Sequence, residues 1–543
     1  MKKMSVTLAP GDEGTDHRGA LLAVVCVSAL IINVDNTILN VALPTLVRVL
    51  HATSSELQWI VDSYAMVFAG LLLVGGSLAD RFGRKPFFLY GLAIFGAGSV
   101  GAALSDSVHL LITCRAVMGA GAAFTIPASL SIINDVFRDP AERARAIGTW
   151  AGTIGIGIAV GPIAGGLLLS RFWWGSIFLV NVPIVAGGIV GAVFLVPDSK
   201  NADAKRPDPL GALLSIGGLG LLLWAVIEGP TDGWTSGIVV GTGMASLVVL
   251  GSFVAWEAHS DHPMLQLGFL RERPFSIALA AECLGVFGLM GALFVQTQFL
   301  QFDLGYSPLQ AGLRILPVAA MIVVSAALSP ILARLVGVKW TVGTALVAIA
   351  GGLWQISASS TGSTTYSEVV LGLLLIGAGA GLLLPTATNS VVGSVPQGDS
   401  GIGSATNTVA LQVGGALGVA VVGSVMLTRY QSHMGAVIAS RHMPTSVSQT
   451  IRGSLGGALA VAKKAGGATG TSLAHTARAA FMSGTELSLA VGATVALGGA
   501  VLVFGALPSR TPGESALPRA ETEQAPDNDE PGKEQRTEPQ ATA

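Results

Sequence analysis

Charge is scarce in this chain. Only 11% of its 543 residues are Asp, Glu, Lys or Arg, while 51% are hydrophobic. A soluble domain carries roughly 25% charged residues, so a soluble fold is excluded and an integral membrane protein is expected. Cysteine is rarer still. Cys26, Cys114 and Cys283 each sit inside an apolar run, which suits neither a disulfide framework nor a metal site. The first 18 residues are polar and lack a short apolar core with a cleavage site. No removable signal peptide is therefore expected, and the first apolar run acts as its own targeting signal. The sequence has no nucleotide-binding P-loop, no His/Cys metal cluster and no nucleophile–base signature. These absences argue against an enzyme, a bound cofactor or metal, and a nucleic-acid partner. The net charge of −2 identifies no partner by itself.

What the chain does have is glycine, 71 residues of it, as expected where helices pack closely in lipid. It also has apolar runs of spanning length, since about 20 helical residues cross a ~30 Å hydrocarbon core. The spacing predicts an all-α protein with spans at about 19–43, 57–78, 87–105, 108–134, 145–169, 176–196, 210–228, 236–256, 275–301, 309–334, 339–358, 367–394, 401–427 and 482–507, fourteen in all. An even number puts both termini on one side. With the N-terminus inside, the inner segments hold most of the Lys and Arg, including Arg81, Arg84, Lys85, Arg138, Arg143, Lys200, Lys205 and Arg271. The short outer loops hold Arg48, Arg171 and Arg314. This bias places both termini in the cytoplasm of a multi-pass protein of the cell membrane. The outer loop at about 428–481 carries more basic residues, but long loops translocate largely regardless of charge. It is expected to hold either short amphipathic helices, a hairpin on the membrane surface, or a plain insertion. The tail after Pro508 is rich in Pro, Glu and Gln without an apolar pattern and reads as disordered.

There is an internal repeat. Met118-Gly-Ala-Gly-Ala122 with Pro127 recurs as Ile376-Gly-Ala-Gly-Ala380 with Pro385, and Leu78 to Lys85 has an echo in Leu332 to Lys339. Two homologous six-helix halves with two helices inserted between them would give this pattern, and repeated halves around a midplane site are a transporter architecture. The expected division is a tail at 1–18, a first half at 19–196, a linker with two extra spans at 197–269, a second half at 270–507 and a tail at 508–543.

Among the few charges inside the spans, Asp35, Asp62, Arg115 and Glu282 stand out. A charge in hydrocarbon costs several kcal/mol at minimum, so such residues are usually kept for a task. Burial favours the neutral form of a carboxylate. An acid there can load a proton on one side and release it on the other as access alternates. The alternative for each acid is a buried partner of Arg115 or of backbone groups, with no proton work. The predicted inner loop Gly76 to Lys85 includes Asp80, Arg81, Gly83 and Arg84. Gly83 suits a tight turn. Asp80 falls at the C-terminal end of its helix, where the dipole disfavours an anion. It needs a partner such as Arg81, another arginine or a helix N-terminus of the other half, and the last would make a latch. In span 5, Gly157, Gly161, Gly165 and Gly166 line a face for close contact, and Pro162 removes a backbone donor and favours a bend. That reads as a flexible interface between the halves. Trp173, Trp174 and Trp59 suit interface anchors; Trp59 and Tyr64 could also stack on a flat cationic substrate.

On these residues the chain resembles the major facilitator superfamily, and within it the fourteen-span drug:proton antiporters of the QacA/EmrB type. The resemblance covers about residues 19–507. It rests on Asp35 to Pro44, Gln58 to Tyr64, the loop Gly76 to Lys85, Arg115 with Gly119 and Gly121, Gly157 to Gly166, and Trp174 to Pro183 with Asn181. It implies the major facilitator fold and proton-coupled multidrug efflux by alternating access, driven by the proton gradient without a cofactor. The substrates would be small lipophilic, often cationic compounds. Protons and membrane lipid would be the other partners, and the protein is expected to act as a monomer. It further implies proton or cation roles for Asp35 and Asp62, coupling by Arg115 and gating by Asp80 and Arg81. Glu282 joins them as a candidate, and Asn36, Trp59, Tyr64 and Gln412 are candidate substrate contacts. The chain departs from the family where Met118 replaces a frequent Gln, and where spans 10 and 13 lack the acids that some multidrug members carry. The alternative is a dedicated exporter of one antibiotic, natural product or lipid.

Overall fold

A computed structural model describes residues 13–200, 207–260, 263–360, 364–396, 400–441 and 443–507. The tail after Pro508, residues 1–12 and the basic residues Lys205 and Arg206 lie outside the described residues. The described residues are helical, without strands. Fourteen helices are long and apolar enough to cross a membrane: His17–Leu50 (span 1), Ser54–Phe82 (span 2), Arg84–Ala103 (span 3), Val108–Val136 (span 4), Pro140–Arg171 (span 5), Ser176–Leu195 (span 6), Pro209–Asp232 (span 7), Gly237–His259 (span 8), Arg273–Asp303 (span 9), Pro308–Val336 (span 10), Val338–Ser359 (span 11), Tyr366–Gly393 (span 12), Gly401–Ala439 (span 13) and Gly467–Ala506 (span 14).

Local chemistry sets the helix starts. Thr53 and Glu56 form a capping box at the start of span 2, as Ser307 and Gln310 do at span 10. Asp139 accepts from the backbone amides of Ala141 and Glu142, with Pro140 in the first turn of span 5. Spans 1–6 pack on one another and spans 9–14 on one another. Span 7 lies against spans 2 and 13, and span 8 lies outside it against span 7.

The repeat is a repeat of packing. In span 4, Gly119 abuts the Tyr64 carbonyl of span 2 and Gly121 abuts Gly91 and Phe95 of span 3. In span 12, Gly377 abuts the Val318 carbonyl of span 10 and Gly379 abuts Ala345 and Ile349 of span 11. The turns repeat as well. Gly83, between spans 2 and 3, has φ +127°, and Gly337, between spans 10 and 11, has φ +90°. Glycine adopts this region at no steric cost.

The segment at 428–481 is not an irregular insertion. The helix of span 13 continues to Arg441, two short helices follow at Thr445–Gly453 and Leu455–Ala465, and span 14 begins at Gly467. The continuation past 427 adds roughly 20 Å of helix. Tyr430 Oη donates to the carbonyls of Ile451 (2.8 Å) and Ser454 (3.4 Å), which ties the short helices to span 13. Gly456 rests on Val47 of span 1 and Phe302 of span 9, and Gly453 rests on Thr53. These helices therefore sit across the end of the bundle that the charge bias predicts to be outer.

Contacts between the two six-span groups gather at that same end. Arg48 Nη2 donates to Gln301 Oε1 (3.3 Å), Gln301 Nε2 to the Val41 carbonyl (2.8 Å) and Ser424 Oγ to Gln58 Oε1 (3.2 Å). A Cβ on Gly312 of span 10 would stand 2.2 Å from the Pro162 carbonyl oxygen, and one on Gly166 would stand 2.6 Å from Leu309 Cα. Toward the opposite end of span 5, a Cβ on Gly148, Gly152 or Gly155 would meet nothing within 4 Å. The bundle is closed at its predicted outer end.

Candidate functional site

The four charges singled out inside the spans are all fully buried, with 0% exposure each, but they do not form one cluster. Asp35 of span 1 and Arg115 of span 4 meet at 2.5 Å, Oδ2 to Nη1. Asn181, opening the main helix of span 6, donates through Nδ2 to Asp35 Oδ1 (2.7 Å) and to Ser99 Oγ of span 3 (3.1 Å). Arg115 Nε donates to the Ile60 carbonyl (3.2 Å), and its guanidinium lies 4.5 Å from the Tyr64 ring centroid. Five of the six spans in this group thus contribute to one ionic centre, in which both carboxylate oxygens of Asp35 are bonded. Arg115 Nη2 and Asn181 Oδ1 have no partner. Charge-assisted bonds of this kind are the strong ones. Removing one member leaves an uncompensated charge in a low-dielectric interior.

Asp62 is different. Neither of its carboxylate oxygens has a hydrogen-bond partner. It lies one turn beyond Gln58 and Trp59, where span 2 faces both span 13 and span 7. Gln58 receives Ser424 of span 13, and Trp59 Nε1 donates to Glu228 Oε1 of span 7 at 3.0 Å.

Glu282 of span 9 makes a third centre. Thr388 Oγ1 of span 12 donates to Glu282 Oε1 (2.5 Å), and Asn407 Nδ2 of span 13 donates to Thr388 Oγ1 (3.2 Å). Glu282 Oε2 and Asn407 Oδ1 are without partners. No lysine or arginine pairs with Glu282 among the described residues. The carboxylate is held by a hydroxyl that an amide supports in turn, with one oxygen free for a proton or a cation.

The loop between spans 2 and 3 is tied within its own group. Asp80 Oδ1 pairs with Arg84 Nε at 3.0 Å, and Arg84 Nη1 reaches Asp135 Oδ1 of span 4 at 3.4 Å. Arg84 thus answers the helix-end anion, not a helix of the other half, and Arg81 lies against the Phe82 ring instead. A latch across the halves is not formed at this closed-outer geometry. The span 5 motif also divides. Gly157, Gly161 and Gly165 pack on Asn33, Thr37 and Ile38 of span 1 in the same group, while Pro162 and Gly166 face span 10. Of these five, the latter two meet the other half, because each is one residue, about 100° around the helix, past Gly161 and Gly165. Trp173 is exposed, as an anchor would be. Trp59 uses its N–H on Glu228 and Tyr64 is buried beneath Arg115, so in this geometry Tyr64 is not free to stack on a substrate. Asn36 and Gln412 are half-buried.

Sequence reasoning missed Thr388, Asn407 and Ser99, and gave Gln58 and Asn181 no role. These residues are neutral and vanish into a hydropathy average. Glu228 and Glu257 were also missed: Glu228 is the last residue of the predicted span and Glu257 falls one past the next, so both read as span ends, while the helices run to Asp232 and His259.

Comparison with known proteins fits this arrangement. The model of the family described as Major Facilitator Superfamily matches residues 25–419. The multidrug efflux pump LfrA of Mycolicibacterium smegmatis is 34% identical over 483 residues, covering 89% of this chain and 95% of that protein. The tetracenomycin C resistance and export protein of Streptomyces glaucescens is 30% identical over 485 residues, covering 88% and 89%. In fold, the chain is similar to a bacterial homologue of the human lysosomal transporter Spinster, solved inward-facing and occupied. The TM-score is 0.62 at 16% identity, over 90% of this chain and 96% of that one.

Proposed function

The chain belongs to the major facilitator superfamily, a transporter family and not an enzyme family, and we propose that it is a proton-coupled antiporter exporting lipophilic, often cationic compounds. The observation that carries this reading is Asp62, fully buried with both oxygens unpartnered. A carboxylate in such a place is stable only with a proton or a cation on it. That is the property a coupling group needs, and no structural bond accounts for the residue. Relatives named for multidrug efflux support export as the direction.

In this reading the six-span halves, about 19–196 and 270–507, rock against each other at the seam where Pro162 and Gly166 meet Leu309 and Gly312. Asp62 and Glu282 exchange protons and cationic substrate. Asp35 and Arg115 form the switch: protonation of Asp35 would release Arg115, whose Nη2 already lacks a partner. In the opposite geometry, with the outer end open, the Asp80, Arg81 and Arg84 loop would engage the other half. No cofactor is needed, since the proton gradient of the cell membrane supplies the energy, and both termini lie in the cytoplasm. The test is efflux of an ethidium-like dye from cells expressing the protein, with and without an uncoupler. Efflux should collapse with the gradient and be lost in an Asp62→Asn variant that still inserts. Full efflux by that variant would refute the assignment.

A narrower reading, export of a single antibiotic, draws on the relative named for tetracenomycin C. A resistance profile against many compounds separates the two, since broad protection favours the multidrug reading.

A further inference from the structure

A pocket of about 460 Å³ opens on the flank of spans 11, 13 and 14 near the predicted outer end, away from the buried acids. Its wall carries Trp354, Arg429, Ser483, Glu486, Leu487 and Ala490. The level of these residues follows from the apolar runs. Arg429 stands just past the end of the run at 427, and Ser483 and Glu486 stand in the first turn and a half of the run that starts at 482. The pocket therefore sits where hydrocarbon gives way to head groups. Trp354 is 62% exposed there, as an aromatic at this boundary would be.

Two opposite charges face this pocket without meeting. Arg429 and Glu486 form no ion pair within 4.0 Å. Arg429 Nε donates to Ser483 Oγ at 3.2 Å, which fixes the guanidinium and leaves its two Nη groups for an anion. Ser483 accepts that bond and keeps its own hydroxyl proton to give. Ser357 Oγ donates to the Glu486 carbonyl at 2.7 Å, which pins the backbone that carries the carboxylate. Both side chains are exposed at this level, and one bound zwitterion answers both charges at once.

We propose that this pocket binds a phospholipid with a primary-ammonium head group in the outer leaflet. The phosphate lies on the Arg429 Nη groups and the Ser483 hydroxyl, and the ammonium donates to the Glu486 carboxylate. The acyl chains run inward along Trp354, Leu487 and Ala490. Guanidinium suits phosphate because its planar fork can bond two oxygens together. The carboxylate selects an ammonium with N–H donors over a quaternary one, which has none to give. It also disfavours an anionic head group.

The test uses the purified full-length protein and native mass spectrometry with added phosphatidylethanolamine, phosphatidylcholine or phosphatidylglycerol. The ethanolamine lipid should be retained about tenfold more tightly than either other lipid, the size of one good charge-assisted bond. Arg429→Ala and Glu486→Gln should each abolish that preference, while thermal unfolding of the delipidated protein stays unchanged. Trp354→Ala should weaken all three lipids alike. Equal retention of the three lipids by the unaltered protein would overturn the proposal. So would an unchanged preference in both charge variants, or tighter retention of the anionic lipid. Because the readout is lipid binding, it stands apart from whether the protein moves protons or drugs.

Discussion

The two halves of this bundle share their packing but not their chemistry. Gly119 and Gly121 seat span 4 between spans 2 and 3, and Gly377 and Gly379 seat span 12 between spans 10 and 11 in the same way. Three residues before each motif the likeness fails. Arg115 stands before Met118, and Leu373, itself buried, stands before Ile376. The first half therefore has an ionic centre, with Asp35 clamped by Arg115 and Asn181. The second half has Glu282 held by Thr388, with Asn407 behind it and one oxygen free. A duplicated scaffold carries a strong clamp on one side and an acid open to change on the other. Opening the clamp strands a charge, whereas protonating Glu282 strands none.

The largest expected effect comes from breaking the clamp on one side only. Arg115→Met should cost about 3–5 kcal/mol of stability, because Asp35 is left buried and unpaired. Thermal unfolding in detergent reads this directly. Glu282→Gln should cost no more than about 1 kcal/mol, the order of one neutral hydrogen bond. Equal losses in the two variants would erase the distinction between the centres.

Transport sharpens the comparison next. Asp62→Asn should leave melting unchanged or raise it, since an unpartnered carboxylate is replaced by a neutral amide, yet dye efflux should fall to the level of cells without the protein. Glu282→Gln should reduce efflux of cationic dyes about tenfold more than that of neutral compounds, the equivalent of about 1.4 kcal/mol of lost attraction. A uniform reduction would point to a packing role instead.

The smallest functional effect, a several-fold change in outer access, is at the seam. Gly312→Ala places a methyl against the Pro162 carbonyl, and overpacking of this kind costs about 1–3 kcal/mol. The outer end should open more often. A cysteine in place of Leu309 should then react several-fold faster with an impermeant maleimide, and an unchanged rate would show that this contact does not hold the outer end closed.

Much of the fold is legible in the sequence because bilayer thickness imposes its own period. All fourteen spans fall where apolar runs of spanning length predict them, and Gly83 turns where a turn was expected. Asp35, Asp62, Arg115 and Glu282 are conspicuous because charge is rare in an apolar run. The partners are a different matter. Asn181 and Thr388 are polar without charge, and nothing local marks which acid each will meet, 146 and 106 residues away, or that Asn407 will stand behind Thr388. Short helices between 428 and 481 were one of the contents expected there, but the sequence did not choose them over a hairpin or a plain insertion, because hydropathy falls at the membrane edge while helix-forming Ala continues. The sequence left the Asp80 partner open between Arg81, another arginine and a helix N-terminus of the other half, and the i,i+4 arginine, Arg84, takes the place.

The most direct test of the central claim is proton movement itself. Purified protein would be reconstituted into liposomes holding a pH-sensitive dye, and an ethidium-like cation would be added without a membrane potential. Proton-coupled exchange predicts a substrate-dependent pH change inside the liposomes that is lost with Asp62→Asn. Substrate uptake with no proton movement, or an undiminished pH change in that variant, would contradict the account.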